Sequence, residues 1–261
     1  MHVHGGYGVD FETGDSNRFD FFAQQVGQEG ITKYLQASVT NSVDTNNRLY
    51  KEFGDYMVQP NKQGAVCLGA HLEGPFISPA KKGAHDEKLL LAPNIDGVDQ
   101  HRPGLAVAAL NHKDVIAEVI TDGIHIKPEL LKMIYDHKGP EQIVIITDAI
   151  NAKGLPDGDY QIGQLPVVKQ GMQVSLKESG NLAGSGATYD HNVRTFKETC
   201  GISMLELIKM TSINAAKQLG ILAETGTLTP NKLADIVVLN HDFQVQLTVA
   251  EGRIIYNVLE S

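Results

Sequence analysis

The chain has 261 residues, of which 42% are hydrophobic, 20% are charged and 26 are glycine, a composition that buries a sizeable core. Its formal net charge of −9 argues against a nucleic-acid partner. No apolar run reaches the length of a membrane span and no signal peptide is visible, so the expectation is a cytoplasmic protein whose two cysteines, Cys67 and Cys200, are buried reduced thiols. In chain order, residues 19–29 read as a helix and 31–38 as a strand. Residues 45–56 read as a helix, 66–72 as a strand and 113–122 as another strand. Residues 128–137 read as a helix with Leu130, Leu131 and Ile134 on one face. Residues 142–146 form a strand, and 189–200, 204–210 and 213–219 form helices. This alternation implies a parallel sheet of βαβ units. The tail differs: 226–229, 236–239, 244–249 and 253–256 read as short strands of a small β-sandwich.

Three segments carry chemistry. The chain opens His2-Val3-His4-Gly5-Gly6-Tyr7-Gly8. Alternate residues of a strand share a face, so two imidazoles project side by side, and such a pair can grip one divalent ion. On its own an H-x-H pair is common, and a plain surface pair is the alternative. The second segment is His71-Leu72-Glu73-Gly74-Pro75-Phe76, where an apolar strand delivers a carboxylate to a turn. The third is Thr147-Asp148-Ala149, where a fully apolar strand again ends in one carboxylate before a glycine-rich loop. A buried carboxylate is costly unless paired or bound to metal. Strands that each end in metal- or proton-handling residues match the C-terminal face of a β/α barrel.

Together with Lys82-Gly83-Ala84-His85, Asp122-Gly123-Ile124-His125 and Ala152-Lys153-Gly154-Leu155-Pro156-Asp157-Gly158, these segments make the chain resemble the N-acetylglucosamine-6-phosphate deacetylase branch of the amidohydrolase superfamily. The resemblance runs from the first residues nearly to the last. It implies an α/β fold: a (β/α)8 TIM-like barrel of the metal-dependent hydrolase type over residues 1–225, with the C-terminal part of a small β-sandwich subdomain over 226–261. It implies His2, His4 and Glu73 as ligands of a divalent metal (Zn, Fe, Mn or Co, one or two ions), and Asp148 as general base. His85, Arg102 and His125 would contact substrate, Arg102 as a phosphate clamp, although Arg-Pro-Gly departs from the family's pattern there. His71 would be a supporting residue. His101, His112, His137, His191 and His241 would have no catalytic role. The implied substrate is a phosphorylated amino sugar, and the implied assembly a homodimer.

The resemblance also exposes a shortfall. A (β/α)8 barrel takes about 250 residues, roughly 30 per unit. Between Glu73 and His125 there is room for fewer than two units, and two single histidines of the family's metal site have no counterpart. The chain therefore reads as less than a whole gene product, with strands missing before the H-x-H pair and a gap near residues 100/101. Two other readings stay open. One is a different amidohydrolase, such as a cyclic amidase or deaminase. The other is a catalytically inactive sugar-phosphate binder.

Overall fold

The computed structural model describes residues 2–59, 63–75, 77, 82–90, 109–163 and 165–259. The expected gap near 100/101 and the proposed phosphate clamp Arg102 lie outside them. Strand β1 (His2–Val3) is followed by a small antiparallel hairpin, β2 (Gly5–Gly6) with β3 (Val9–Asp10), then by β4 (Lys33–Ser38) and β5 (Val66–Leu72). β1 lies parallel to β4, with His2 opposite Leu35, and β4 lies parallel to β5, with Ser38 opposite Leu72. A second parallel pair joins β6 (Ala117–Ile120) to β7 (Ile143–Ile146). The chain leaving β7 docks along β1: the Asp148 N–H donates to the His2 carbonyl (3.2 Å) and the His4 N–H to that of Ala149 (2.9 Å). The order is thus β5-β4-β1-β7-β6, an arc of parallel strands whose C-terminal ends share one rim.

Helices cover the outside of the arc. The helix Val43–Met57 starts at Ser42, whose hydroxyl accepts from the Thr45 N–H, and buries Leu49, Phe53 and Tyr56. Those three recur at i, i+4 and i+7, the spacing of one helical face. They meet Phe11, Phe19 and Phe22 from the segment that follows the hairpin. Phe11 sits between Phe22 and Phe19, at 4.9 and 5.3 Å between ring centroids, both edge-to-face. Each such pair adds about 0.5–1.5 kcal/mol beyond area burial. This aromatic cluster clamps the chain immediately after the H-x-H pair and so fixes where the two histidines point.

A buried ion pair clamps the chain after β7. Lys153 Nζ lies 2.8 Å from Glu29 Oε1, with both side chains essentially inaccessible. Glu29 also accepts from the Tyr7 hydroxyl (2.6 Å) and the Tyr189 N–H (2.8 Å), and Lys153 sits over the rings of Tyr7 and Phe22. Four segments distant in sequence meet at these two charges.

Several sequence expectations need correction. The strand read over 113–122 is confined to Ala117–Ile120, because a turn closes from the Val115 N–H to the His112 carbonyl ahead of it. Residues 226–229 form no strand; Gly226 has φ +88°. In the helix Pro128–Lys138 the buried face is Leu131 with Ile134 and Tyr135, whereas Leu130 is half exposed, one residue out of phase. The helices Met204–Ile208 and Asn214–Gln218 are one continuous run, joined by a wide turn at Lys209–Ile213. A four-stranded antiparallel sheet was not anticipated. It comprises β8 (Gly158–Ile162), β9 (Leu165–Gln170), β10 (Gln173–Leu176) and β11 (Leu182–Ser185), in the order β11-β10-β9-β8. Its apolar side packs Ile162, Val167, Val174 and Ala183 on Ile150 and Ala152. The tail forms an antiparallel sheet of β12 (Ile236–Leu239), β13 (Val245–Ala250) and β14 (Arg253–Asn257). Cys67 and Cys200 are buried free thiols.

Candidate metal centre and catalytic pocket

The shared rim gathers His2 from β1 and His4 just after it, Glu73 from just past β5 and Asp148 from just past β7. The two Nε2 atoms are 3.0 Å apart. Glu73 Oε2 is 3.5 Å from that of His2 and 3.1 Å from that of His4. Asp148 Oδ1 is 3.3 and 3.2 Å from the same two atoms. All four donor atoms lie within 4.8 Å of one another, and atoms ~3.3 Å apart can each sit about 2.0 Å from a common centre, the Zn–N and Zn–O range. Asp148 Oδ1 is buried without a hydrogen-bond partner among the described residues. Close approach without hydrogen-bond alignment is what atoms facing a common centre produce. The four residues therefore fit a divalent cation.

Electrostatics agree. Burial opposes ionisation of Glu73 and Asp148, but the facing imidazoles outweigh it and hold both carboxyls well below the usual range. Burial also opposes the cationic imidazoles. Asp148, Glu118 and Glu73 nonetheless push His2 up to about 11, and Asp148 and Glu73 push His4 up to about 9. The two carboxylates carry the charge that a dication between them would balance.

Beside the four donors lies a cavity of about 170 Å³, walled by Lys82, His85, His125, Ile150, Ile162 and Leu182 among others. Among the described residues, the expected site residues all reach it or the cluster. His125 Nδ1 is 2.8 Å from Asp122 Oδ2; the other Asp122 oxygen accepts from the N–H groups of Ile124 and His125 (2.9 Å each). Burial disfavours the charge on both partners. Their mutual attraction wins, lowering Asp122 and raising His125 from their ordinary values. His85 Nδ1 accepts from the Thr40 N–H (3.1 Å), which leaves the proton on Nε2, 3.4 Å from Glu73 Oε1. His85 thus steadies a cluster carboxylate as well as lining the cavity. The His71 ring packs against that of His2, 4.4 Å between centroids.

Sequence reasoning missed Asp122, Thr40 and Glu118. Asp122 could have been found: a carboxylate three residues before a histidine, across a glycine turn, is placed to cap that turn. A larger cavity of about 560 Å³ lies elsewhere, among Tyr34, Leu35, Val144, Met204 and Leu207. It is mainly apolar and touches the donor cluster only at His2, whereas His4, Glu73 and Asp148 all line the smaller one.

Residues 99–255, more than half of the chain, match the profile of the amidohydrolase family. The chain belongs to that family. Among amidohydrolases it is similar to the N-acetylglucosamine-6-phosphate deacetylase of Bacillus subtilis, 27% identical over 98% of this chain and 83% of that protein. It is also similar to the N-acetylgalactosamine-6-phosphate deacetylase of Escherichia coli O157:H7, 29% identical over 97% of this chain and 85% of that protein. The crystal structure of N-acetylglucosamine-6-phosphate deacetylase from Thermotoga maritima superposes with a TM-score of 0.87 at 28% identity, covering 98% of this chain and 87% of that one. The amidohydrolase fold here is therefore the TIM-barrel type with a small β-sandwich, and the arc β5-β4-β1-β7-β6 is the described part of its parallel strands. The alignment to the Bacillus protein runs over 328 residues, 67 more than this chain contains, so that relative carries segments this amidohydrolase lacks.

Proposed function

We propose that this amidohydrolase hydrolyses N-acetyl-D-glucosamine 6-phosphate to D-glucosamine 6-phosphate and acetate, a step of amino-sugar catabolism. The observation that carries the reading is the set of four donor atoms, all within 4.8 Å of one another at three strand ends, facing a cavity walled by two further histidines. His2, His4 and Glu73 hold the ion, with zinc, iron, manganese or cobalt all suited to such nitrogen and oxygen donors. When bound, it polarises the acetamide carbonyl and makes water more acidic. Asp148 takes the proton from the attacking water and returns it to the leaving amine, without which the C–N bond breaks poorly. His125, its Nδ1–H committed to Asp122, donates Nε2–H to the carbonyl oxygen when the ring is protonated and accepts from a sugar hydroxyl there when it is neutral. His85 borders the sugar. Arg102 binds the phosphate, where a planar guanidinium makes paired hydrogen bonds. The working form is a cytoplasmic homodimer. Among the described residues no helix is long and apolar enough to cross a membrane.

The 29% identity to a galactosamine-type relative favours one second reading, the 4-epimer as substrate. Acetate release is measured from both N-acetylhexosamine 6-phosphates and from unphosphorylated N-acetylglucosamine, with divalent metal added. Turnover of the gluco epimer with at least tenfold preference supports the proposal, and preference for the galacto epimer replaces it with the second reading. No release from either, from protein that binds metal, leaves a sugar-phosphate binder or an amidase for cyclic amides.

A further inference from the structure

Metal-binding histidines work as a neutral tautomer whose free lone pair faces the ion, and the other ring nitrogen is normally tied to a carboxylate or carbonyl. His2 directs Nε2 into the donor cluster. Its Nδ1 faces a group outside that cluster, Glu118 Oε2, at 3.5 Å. Glu118 lies on β6, opposite Val144 of β7; it is a strand-interior residue, not a rim residue. Its side chain is only 21% exposed and that of His2 9%, so water screens the contact little. The remaining neighbour of His2, the ring of His71, meets it as a packed face tilted by 40°. An acid in the middle of a short, mostly apolar strand needs a reason, since an unpaired buried carboxylate is expensive.

We propose that Glu118 is a positioning residue: it accepts from Nδ1–H of His2, fixes that tautomer, and so presents the Nε2 lone pair to the divalent ion. This rests on the reading of His2 as a metal ligand. The arrangement sets His2 apart from His4, whose Nδ1 is buried without a partner among the described residues. It makes the hold on the ion depend on β6, a strand that supplies no donor to the four-atom cluster.

The test measures Zn(II) and Co(II) affinity by competition with a chromophoric chelator, for the wild type, Glu118→Gln, Glu118→Ala, His2→Ala and the His2→Ala/Glu118→Ala double variant. Thermal unfolding of each metal-free protein reports folding. Nitrogen NMR of the His2 ring in the metal-free wild type and both Glu118 variants reports the tautomer. The expected result is a loss of roughly 10–100-fold in affinity for Glu118→Ala, a smaller loss for Glu118→Gln, which keeps an acceptor oxygen, and no further loss when Glu118→Ala is added to His2→Ala. Wild-type affinity in a folded Glu118→Ala, with affinity lost in His2→Ala, overturns the inference alone. Wild-type affinity in His2→Ala overturns the ligand reading and the inference with it. Loss of one whole equivalent from a two-metal wild type on Glu118→Ala also overturns it, because Glu118, His2 and His71, whose donor atoms lie within 4.8 Å of one another, would then be ligands of a second ion.

Discussion

Asp148 has φ +53°, in the left-handed region where a side chain is strained and where, after glycine, Asn and Asp are the least disfavoured residues. The Asp148 N–H bonded to His2 and its carbonyl bonded to the Ser185 N–H (2.8 Å) hold it there. Asp148→Asn therefore keeps the backbone and removes only the proton acceptor. Turnover should fall by about 10²–10⁴-fold with thermal stability nearly unchanged; an Asn variant of near wild-type turnover would show that the base is elsewhere. Glu73→Gln acts on a different quantity: a neutral amide is a weak ligand, so bound metal, read by elemental analysis, should drop before substrate affinity does. The Asp122–His125 pair has a pH signature. The raised His125 pKa stabilises the fold fully below its unfolded value of about 6.5, and that share is lost as pH rises through the raised folded value. The lowered Asp122 pKa stabilises above about 3.9 and is lost as pH falls through the folded value. In Asp122→Asn the His125 titration followed by NMR should move downward; an unmoved titration means the carboxylate does not orient that ring. Glu73 and Asp148 were legible in sequence because each ends an apolar run at a glycine or small-residue turn, and His2 and His4 because alternate residues of a strand share a face. Glu118 was not: mid-strand in Ala-Glu-Val-Ile it looks like the wet side of a half-buried strand, and only closure of the arc turns it inward.

At the level of elements, the Glu29–Lys153 pair ties the turn of the β2–β3 hairpin, the loop after β7 and the start of the helix Tyr189–Cys200. Removing one partner of a buried pair strands the other charge and costs about 3–5 kcal/mol, whereas replacing both with apolar groups is often neutral or better. Lys153→Met should thus lower the denaturant midpoint sharply, and Glu29→Leu added to it should recover most of the loss. Equal damage in the double variant would mean the hydrogen bonds to Tyr7 and Tyr189 matter more than the charges. The strand–helix alternation that makes the arc was readable from apolar runs. The sheet β8–β11 was passed over because its strands are short and partly polar, with Val167 and Val174 facing in and Gln170 and Gln173 facing out. That two-residue alternation is the signal that would have found it.

For the whole molecule, the proposed ligands come from residues 2 and 4 and from residue 73, two stretches that nothing joins covalently except the chain between them. An ion held by both is a cross-link. It closes a loop of about 70 residues that the bare polypeptide must close by packing alone, and loop closure is what the unfolded chain resists. At 100 times its Kd such a ligand adds about 2.7 kcal/mol to the native state, and in a protein of this size each kcal/mol is worth about 2–4 °C in Tm. Chelation should lower the melting temperature by several degrees, and zinc or cobalt should restore it; a melting curve indifferent to chelator in protein shown to bind metal would mean the ion sits on an already rigid rim. Metal shortage would then strike this protein twice, first as a loss of turnover and then as a looser chain exposed to proteases, so that its abundance in a cell would follow metal supply.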